Sequence, residues 1–307
     1  MVDFLYSLLE VGTQVAILFI FIGVGFAISK FGVIDKKGTA QITDILFYIV
    51  TPAVIINAFC SVDFSKERLL SLLFVAICAS FVYVIGIVLS AVIFRGKPAF
   101  MKLGTVFSNC GFMSLPLAMA LFGETGVFLV SVYIIIHNIF MWTYGISLCS
   151  DEKLSLKRAL FNPGTIGVII GLPLFILGVN LPEMISVPLN GISGLNTPLA
   201  MIVIGFYLSK TKPGVEKGDG AVLLVTVMRL IAVPALALLA FSFVPIYREV
   251  LYIIMLPACA PTAANTAMFA AKFSQNPDSS SRVVSLTTVA SILTMPIFMA
   301  ISKMIFT

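Results

Sequence analysis

The chain has 307 residues, 60% hydrophobic and 11% charged, against roughly 45–50% and 25% in soluble domains. No polar block is long enough to fold as a separate soluble domain, so composition excludes a soluble enzyme or nucleic-acid binder and indicates one continuous membrane domain over residues 1–307. The net charge of +5 is then a topology signal before it is a partner signal.

A span needs about 20 predominantly apolar residues, which sets ten expected segments: 8–29, 39–59, 70–94, 102–122, 125–149, 162–179, 187–209, 219–243, 250–272 and 281–305. Segment 1 has no Lys or Arg before it and Lys30, Lys36 and Lys37 after it. That is the reverse of a cleavable signal peptide, so it is expected to stay as a span. Segment 2 carries TPAVIINAF at 51–59, including Asn57. Segment 4 carries NCGFMSLPLAMALFG at 109–123, with Asn109, Gly111, Ser114 and Pro116 where a helix interior is expected. Segment 5 holds the sole histidine, His137, beside Asn138; segment 6 is short and contains GLP at 171–173. Segment 7 carries TPLAMIVIGF at 197–206, and segment 8 contains Arg229. Segment 9 reads MLPACAPTAANTAMFAAKF at 255–273, with Pro257, Pro261, Thr262 and Asn265.

Loop charges orient the spans. Lys30, Lys36, Lys37, Arg95, Lys97, Lys102, Lys153, Lys157, Arg158, Lys210, Lys212, Lys217, Lys272 and Arg282 follow the odd-numbered segments, whereas only Lys66, Arg68, Arg248 and Lys303 lie on the other side. The positive-inside rule places both termini outside the cell membrane. Ten spans divide into five plus five, so the halves, about 1–150 and 151–307, form an inverted repeat. The TP motifs of segments 2 and 7 and the interrupted segments 4 and 9 occupy matching positions. Matching interrupted segments are the best sequence pointer to a transporter's binding site. A helix broken inside the membrane exposes N–H groups at one end and C=O groups at the other. Two crossing breaks therefore make a polar chamber in which N-terminal ends favour anions and Asn or Thr side chains add directional hydrogen bonds.

The ordered motif set resembles the auxin efflux carrier family, specifically the bacterial and archaeal relatives of the plant PIN carriers. The resemblance rests on the motifs above together with IFMWTYGISL (139–148), NPGTIGVIIGLPL (162–174), MRLIAVP (228–234) and the run to PIF at 296–298. It implies an all-α, ten-helix NhaA-like or bile-acid-symporter-like fold in which helices 1, 2, 6 and 7 form a scaffold and helices 3–5 and 8–10 an elevator-type transport domain. It further implies crossed broken helices 4 and 9 with breaks near Pro116 and Pro261, a homodimer, and transport of a small carboxylate, auxin-like or malate- or malonate-like. The loop between segments 5 and 6 is about a dozen residues, short against many plant members.

The expected substrate site is Asn109, Gly111, Ser114, Pro116, Pro261, Thr262 and Asn265, with Asn57 as a lining residue from segment 2. Arg229, about ten residues into segment 8, is a charge that attracts the anion, substitutes for a cation at the crossing, or pins its helix to a neighbour. His137 is a packed hydrogen-bonding residue or a proton-coupling group, its unperturbed pKa being about 6.5. No acid is evidently mid-membrane, so coupling to H⁺ or Na⁺ stays open, and no cofactor or metal is expected. The five cysteines lie in or beside apolar segments without C-x-x-C spacing and read as packing residues.

The expected activity is secondary or facilitative transport of a small organic anion by alternating access. The alternatives are a channel, a membrane-embedded sensor, or a Na⁺-coupled symporter of the bile-acid type. An enzyme would need a paired nucleophile and base or a metal motif; one His, no G-x-S-x-G and no H-E-x-x-H argue against it.

Overall fold

A computed structural model describes residues 2–149, 162–210, 220–272 and 276–307. Among them the chain is all helical, and the sole departure is an isolated antiparallel bridge between Ser108 and Thr262. The expected loop carrying Lys153, Lys157 and Arg158, and the positions of Lys212 and Lys217, lie outside the described residues.

Helix α1 (Val2–Lys30) is followed by α2 (Lys36–Ser61) and α3 (Lys66–Ile93). Short polar side chains set where the latter two begin: Asp35 accepts from the Gly38 N–H at 2.7 Å and Ser65 from the Arg68 N–H at 3.1 Å, each satisfying a first-turn donor. Next come α4 (Ala99–Val106) and the long α5 (Cys110–Cys149), which bends at Gly123. Helices α6 (Pro163–Ile176), α7 (Glu183–Lys210) and α8 (Gly220–Ser242) precede α9 (Arg248–Cys259), α10 (Ala264–Lys272) and α11 (Pro277–Phe306).

Seven of these helices are long and apolar enough to cross a membrane, namely α1, α2, α3, α5, α7, α8 and α11. Length alone does not return ten. The expected segments 4 and 9 are each split in two, segments 4 and 5 merge through the Gly123 bend, and α6 has only 14 residues. Side chains such as Ile20, Ile77, Val92, Leu177 and Leu293 are exposed along the helices, as a lipid-facing surface requires.

Helix α1 lies along α7 and α11; α2 packs on α6 and α7; α3, α4 and α5 pack together, and α8, α9 and α11 close around them. The α1–α7 contact depends on two glycines. A Cβ at Gly25 would fall 2.5 Å from the Ile202 carbonyl oxygen, and one at Gly205 would collide with the backbone of Ile22 and Phe26. Small residues let membrane helices approach this closely.

Three helices contain a π turn followed at the second residue by proline: Leu46–Val50 before Pro52, Cys110–Ser114 before Pro116, and Met228–Ala232 before Pro234. Proline supplies no N–H, and its ring clashes with the carbonyl four residues earlier; widening the preceding turn relieves both problems without ending the helix. The break expected near Pro116 therefore falls upstream, at Phe107–Asn109, while Pro116 sits inside regular helix. The second break, Ala260–Ala263, does contain Pro261.

Candidate functional site

The two interruptions meet. Phe107–Asn109 and Pro261–Ala263 run antiparallel as extended backbone, the Asn109 N–H donating to the Pro261 carbonyl at 2.7 Å and the Ala263 N–H to the Phe107 carbonyl at 2.9 Å. Thr262 fastens the crossing on its flanks. Its hydroxyl donates to the Gly104 carbonyl at 2.7 Å, and its N–H donates to the Thr287 hydroxyl of α11 at 3.1 Å. Backbone groups that hydrocarbon would leave unpaired are thus satisfied by the opposite break.

Helices α4 and α9 end at the crossing with their carbonyls pointing into it, and Arg229 fills that space. Its side chain is fully buried. Nε donates to the Ala260 carbonyl at 3.0 Å, Nη1 to those of Thr105 at 3.3 Å and Val106 at 3.5 Å, and Nη2 to those of Pro257 at 3.5 Å and Ala258. A helix C-terminus carries roughly −0.5 of a charge. Two of them therefore offset about one guanidinium, which explains how Arg229 is tolerated without a carboxylate partner among the described residues.

The N-terminal ends of the following helices face the other way, into an open cavity. Asn109 caps α5, its side chain accepting from the Phe112 N–H at 3.3 Å. On α10 the N–H groups of Ala264 and Asn265 make no hydrogen bond among the described residues. A third helix end contributes, since Asn162 caps α6 through the Gly164 N–H at 3.0 Å and both residues line the cavity. Thr51, Ser108, His137 and Asn138 complete the polar wall; Phe47, Phe112 and Ile134 form the apolar one. No Lys, Arg, Asp or Glu is among the described lining residues, so the positive potential comes from helix ends.

His137 is buried, with Nδ1 2.8 Å from the Tyr83 hydroxyl and its ring edge-on to Phe107. The Ser108 hydroxyl is buried and borders the cavity.

Of the expected site residues, Asn109, Gly111, Asn265 and His137 line this cavity. Pro261 and Thr262 build the crossing, and Arg229 lies behind it. Ser114 is fully buried, its hydroxyl 3.5 Å from the Asn109 carbonyl, and with Pro116 it belongs to the packed start of α5. Asn57 does not line the cavity; its amide donates to Glu124 Oε1 at 3.1 Å, joining α2 to the bend of α5. The cavity also takes Thr51, Asn138 and Asn162, which had no assigned site role. Thr51 stood in a noted TP motif, Asn138 beside the noted His137, and Asn162 at the start of NPG.

Helices of membrane-spanning length enclosing an internal cavity lined by polar side chains and helix N-termini define a multi-span membrane protein with the internal architecture of a transport protein. The family model described as "Membrane transport protein" matches residues 10–157 and 150–299, and the chain belongs to that family, the auxin efflux carriers. A curated relative, an uncharacterized transporter of Methanocaldococcus jannaschii, is 27% identical over 272 residues, 82% of this chain and 86% of the relative.

Proposed function

We propose that the chain is a secondary carrier for a small organic anion, working by alternating access, with the carboxylate held at the helix ends beside Asn109 and Asn265. The observation that carries this reading is the paired crossing, which turns the N-termini of α5 and α10 toward one cavity and the C-termini of α4 and α9 toward Arg229. Each N-terminus supplies roughly +0.5 of a charge, and unpaired N–H groups there suit a carboxylate oxygen. Phe47, Phe112 and Ile134 offer an apolar wall to the rest of the molecule, and the Ser108 hydroxyl adds a polar group at the cavity wall.

On this reading the chain makes ten passes: α4 with the first part of α5, the remainder of α5 after Gly123, and α9 with α10 each count separately, and α6 is a short pass. The fold is NhaA-like, with inverted repeats of about 1–150 and 151–307. Helices α1, α2, α6 and α7 are the scaffold, and the remaining helices are the moving elevator body. The protein works in the cell membrane with both termini outside, as a homodimer, and as a carrier rather than an enzyme.

The test is uptake of labelled indole-3-acetate, malate and malonate into proteoliposomes, with pH, Na⁺ and voltage gradients imposed in turn. Saturable uptake of at least one of them, with a half-saturation concentration raised about tenfold or more in Asn109→Ala and Asn265→Ala proteins that still purify as folded species, is the expected result. Flux far above carrier turnover would indicate a channel, and ligand binding without flux a sensor.

A further inference from the structure

Among the described residues, the buried charge of Arg229 has no acid beside it. Its hydrogen bonds among the described residues all run to backbone carbonyls, and the titratable groups around it are Tyr83, Tyr133, His137, Cys110 and Cys259. The carbonyls come from α4, α9 and Ala260 just past the end of α9, and Arg229 itself sits in the π turn of α8. It is therefore fastened to the same crossing that presents the N-termini of α5 and α10 to the cavity. Glu124 rides on the same moving body but away from the crossing, half-buried just past the Gly123 bend and fourteen residues along α5 from Cys110, about 21 Å at 1.5 Å per residue.

We propose that Arg229 is a built-in counter-charge that travels with the crossing, so that a bound monovalent carboxylate crosses the membrane as part of a neutral unit and no cotransported cation is required. This rests on the carrier reading above, and it adds the charge bookkeeping. Half-helix dipoles have no net charge, so with the Glu124 carboxyl uncharged the moving assembly carries +1 when empty and zero when loaded. The membrane potential then acts on the return of the empty carrier and leaves the loaded step untouched. An elementary charge moved across the whole field responds to a potential of cellular size by well over tenfold, and movement across part of it by severalfold. A carbonyl cage of this kind is where a carrier without the arginine would hold Na⁺.

Two measurements separate this proposal from the carrier reading. In proteoliposomes, labelled indole-3-acetate, a monovalent anion at neutral pH, is followed in exchange, with the same anion on both sides, and in net uptake, each with and without an imposed potential and each with Na⁺ replaced by choline. Expected is exchange that changes less than about twofold with potential, net uptake that changes about threefold or more, and no Na⁺ requirement. In Arg229→Gln the pattern inverts, because the loaded form now carries the charge: exchange becomes potential-sensitive. Equal sensitivity of wild-type exchange and net uptake, or a Na⁺ requirement, overturns the proposal.

The second measurement uses no carboxylate. A voltage step applied to membranes holding the empty wild-type protein should displace charge, and Arg229→Lys, which keeps the charge but loses the planar fork, should still do so. Absence of that displacement in wild type overturns the proposal even where transport is robust. Its presence supports the proposal even where indole-3-acetate is not a substrate. Should Arg229→Gln fail to fold, the wild-type and Arg229→Lys displacements decide.

Discussion

The backbone N–H of Asn109 donates to the carbonyl of Pro261 at 2.7 Å, tying a break in the first half of the chain to a break in the second. Asn109 also caps α5 with its side chain, so one residue serves the crossing through its backbone and the cavity through its amide.

Asn109→Ala keeps the backbone bond and removes the cap. A lost N-cap costs about 1 kcal/mol, small beside the whole fold, so the variant is expected to purify normally while its half-saturation concentration for carboxylate rises about tenfold or more. Transport kinetics beside a thermal melt check this, and unchanged kinetics would remove Asn109 from the site.

Arg229→Met is expected to destabilise the protein by about 1–3 kcal/mol, because an apolar side chain of similar length leaves several buried carbonyls without a donor. Thermal unfolding in detergent reads this directly. A melting temperature equal to that of wild type would mean water satisfies those carbonyls.

Tyr83 and His137 should behave as a coupled pair. With Oη and Nδ1 2.8 Å apart and both residues buried, Tyr83→Phe and His137→Phe are each expected to cost about 1 kcal/mol, with the double variant costing less than their sum. A double-mutant cycle on thermal stability measures the coupling; strict additivity would show that the contact contributes nothing.

Gly123 holds φ 58° and ψ −149° at the bend of α5. That region is essentially restricted to glycine, so Gly123→Ala is expected to cost about 1–3 kcal/mol although an added Cβ meets nothing within 4 Å. Normal stability of the alanine variant would mean the bend relaxes to an ordinary conformation.

Asn57→Ala would leave Glu124, whose Oε2 is already buried without a partner, with no donor on either carboxylate oxygen. The expected loss is about 1–3 kcal/mol, readable as a lower melting temperature. Asn57→Asp should be worse, since it sets two acids face to face.

Family, all-helical class and the meeting of two interrupted segments were legible in the sequence, because apolar length, loop charge and motif order are properties of the linear chain. The location of the first break was not. Pro116 marks where an N–H is missing, which a widened turn absorbs, whereas the helix starts afresh at Asn109, an ordinary N-cap residue. Asn57 was placed at the site by its type and its position beside a TP motif, yet its partner is Glu124, an end-of-segment acid that no local pattern pairs with it. Asn162 was missed for the opposite reason: its role comes from the start of α6 falling beside the crossing, a fact of tertiary packing. Arg229 was the clearest case of a sequence signal, since a lone arginine inside a span demands an explanation; what it touches depended on five carbonyls contributed by α4, α9 and the stretch that follows α9.

Each of the three proline-linked π turns holds residues that the site depends on: Phe47 in the first, Gly111 and Phe112 in the second, Arg229 in the third. A π turn amounts to one residue inserted into an α-helix, and it rotates everything on one side by about 100° relative to the other. Removing one residue from any of these turns would restore regular helical phase. It would also swing Phe47, Phe112 or Arg229 a quarter of the way round its helix, out of the cavity or away from the carbonyls, so the three prolines set the angular register that makes the groups converge.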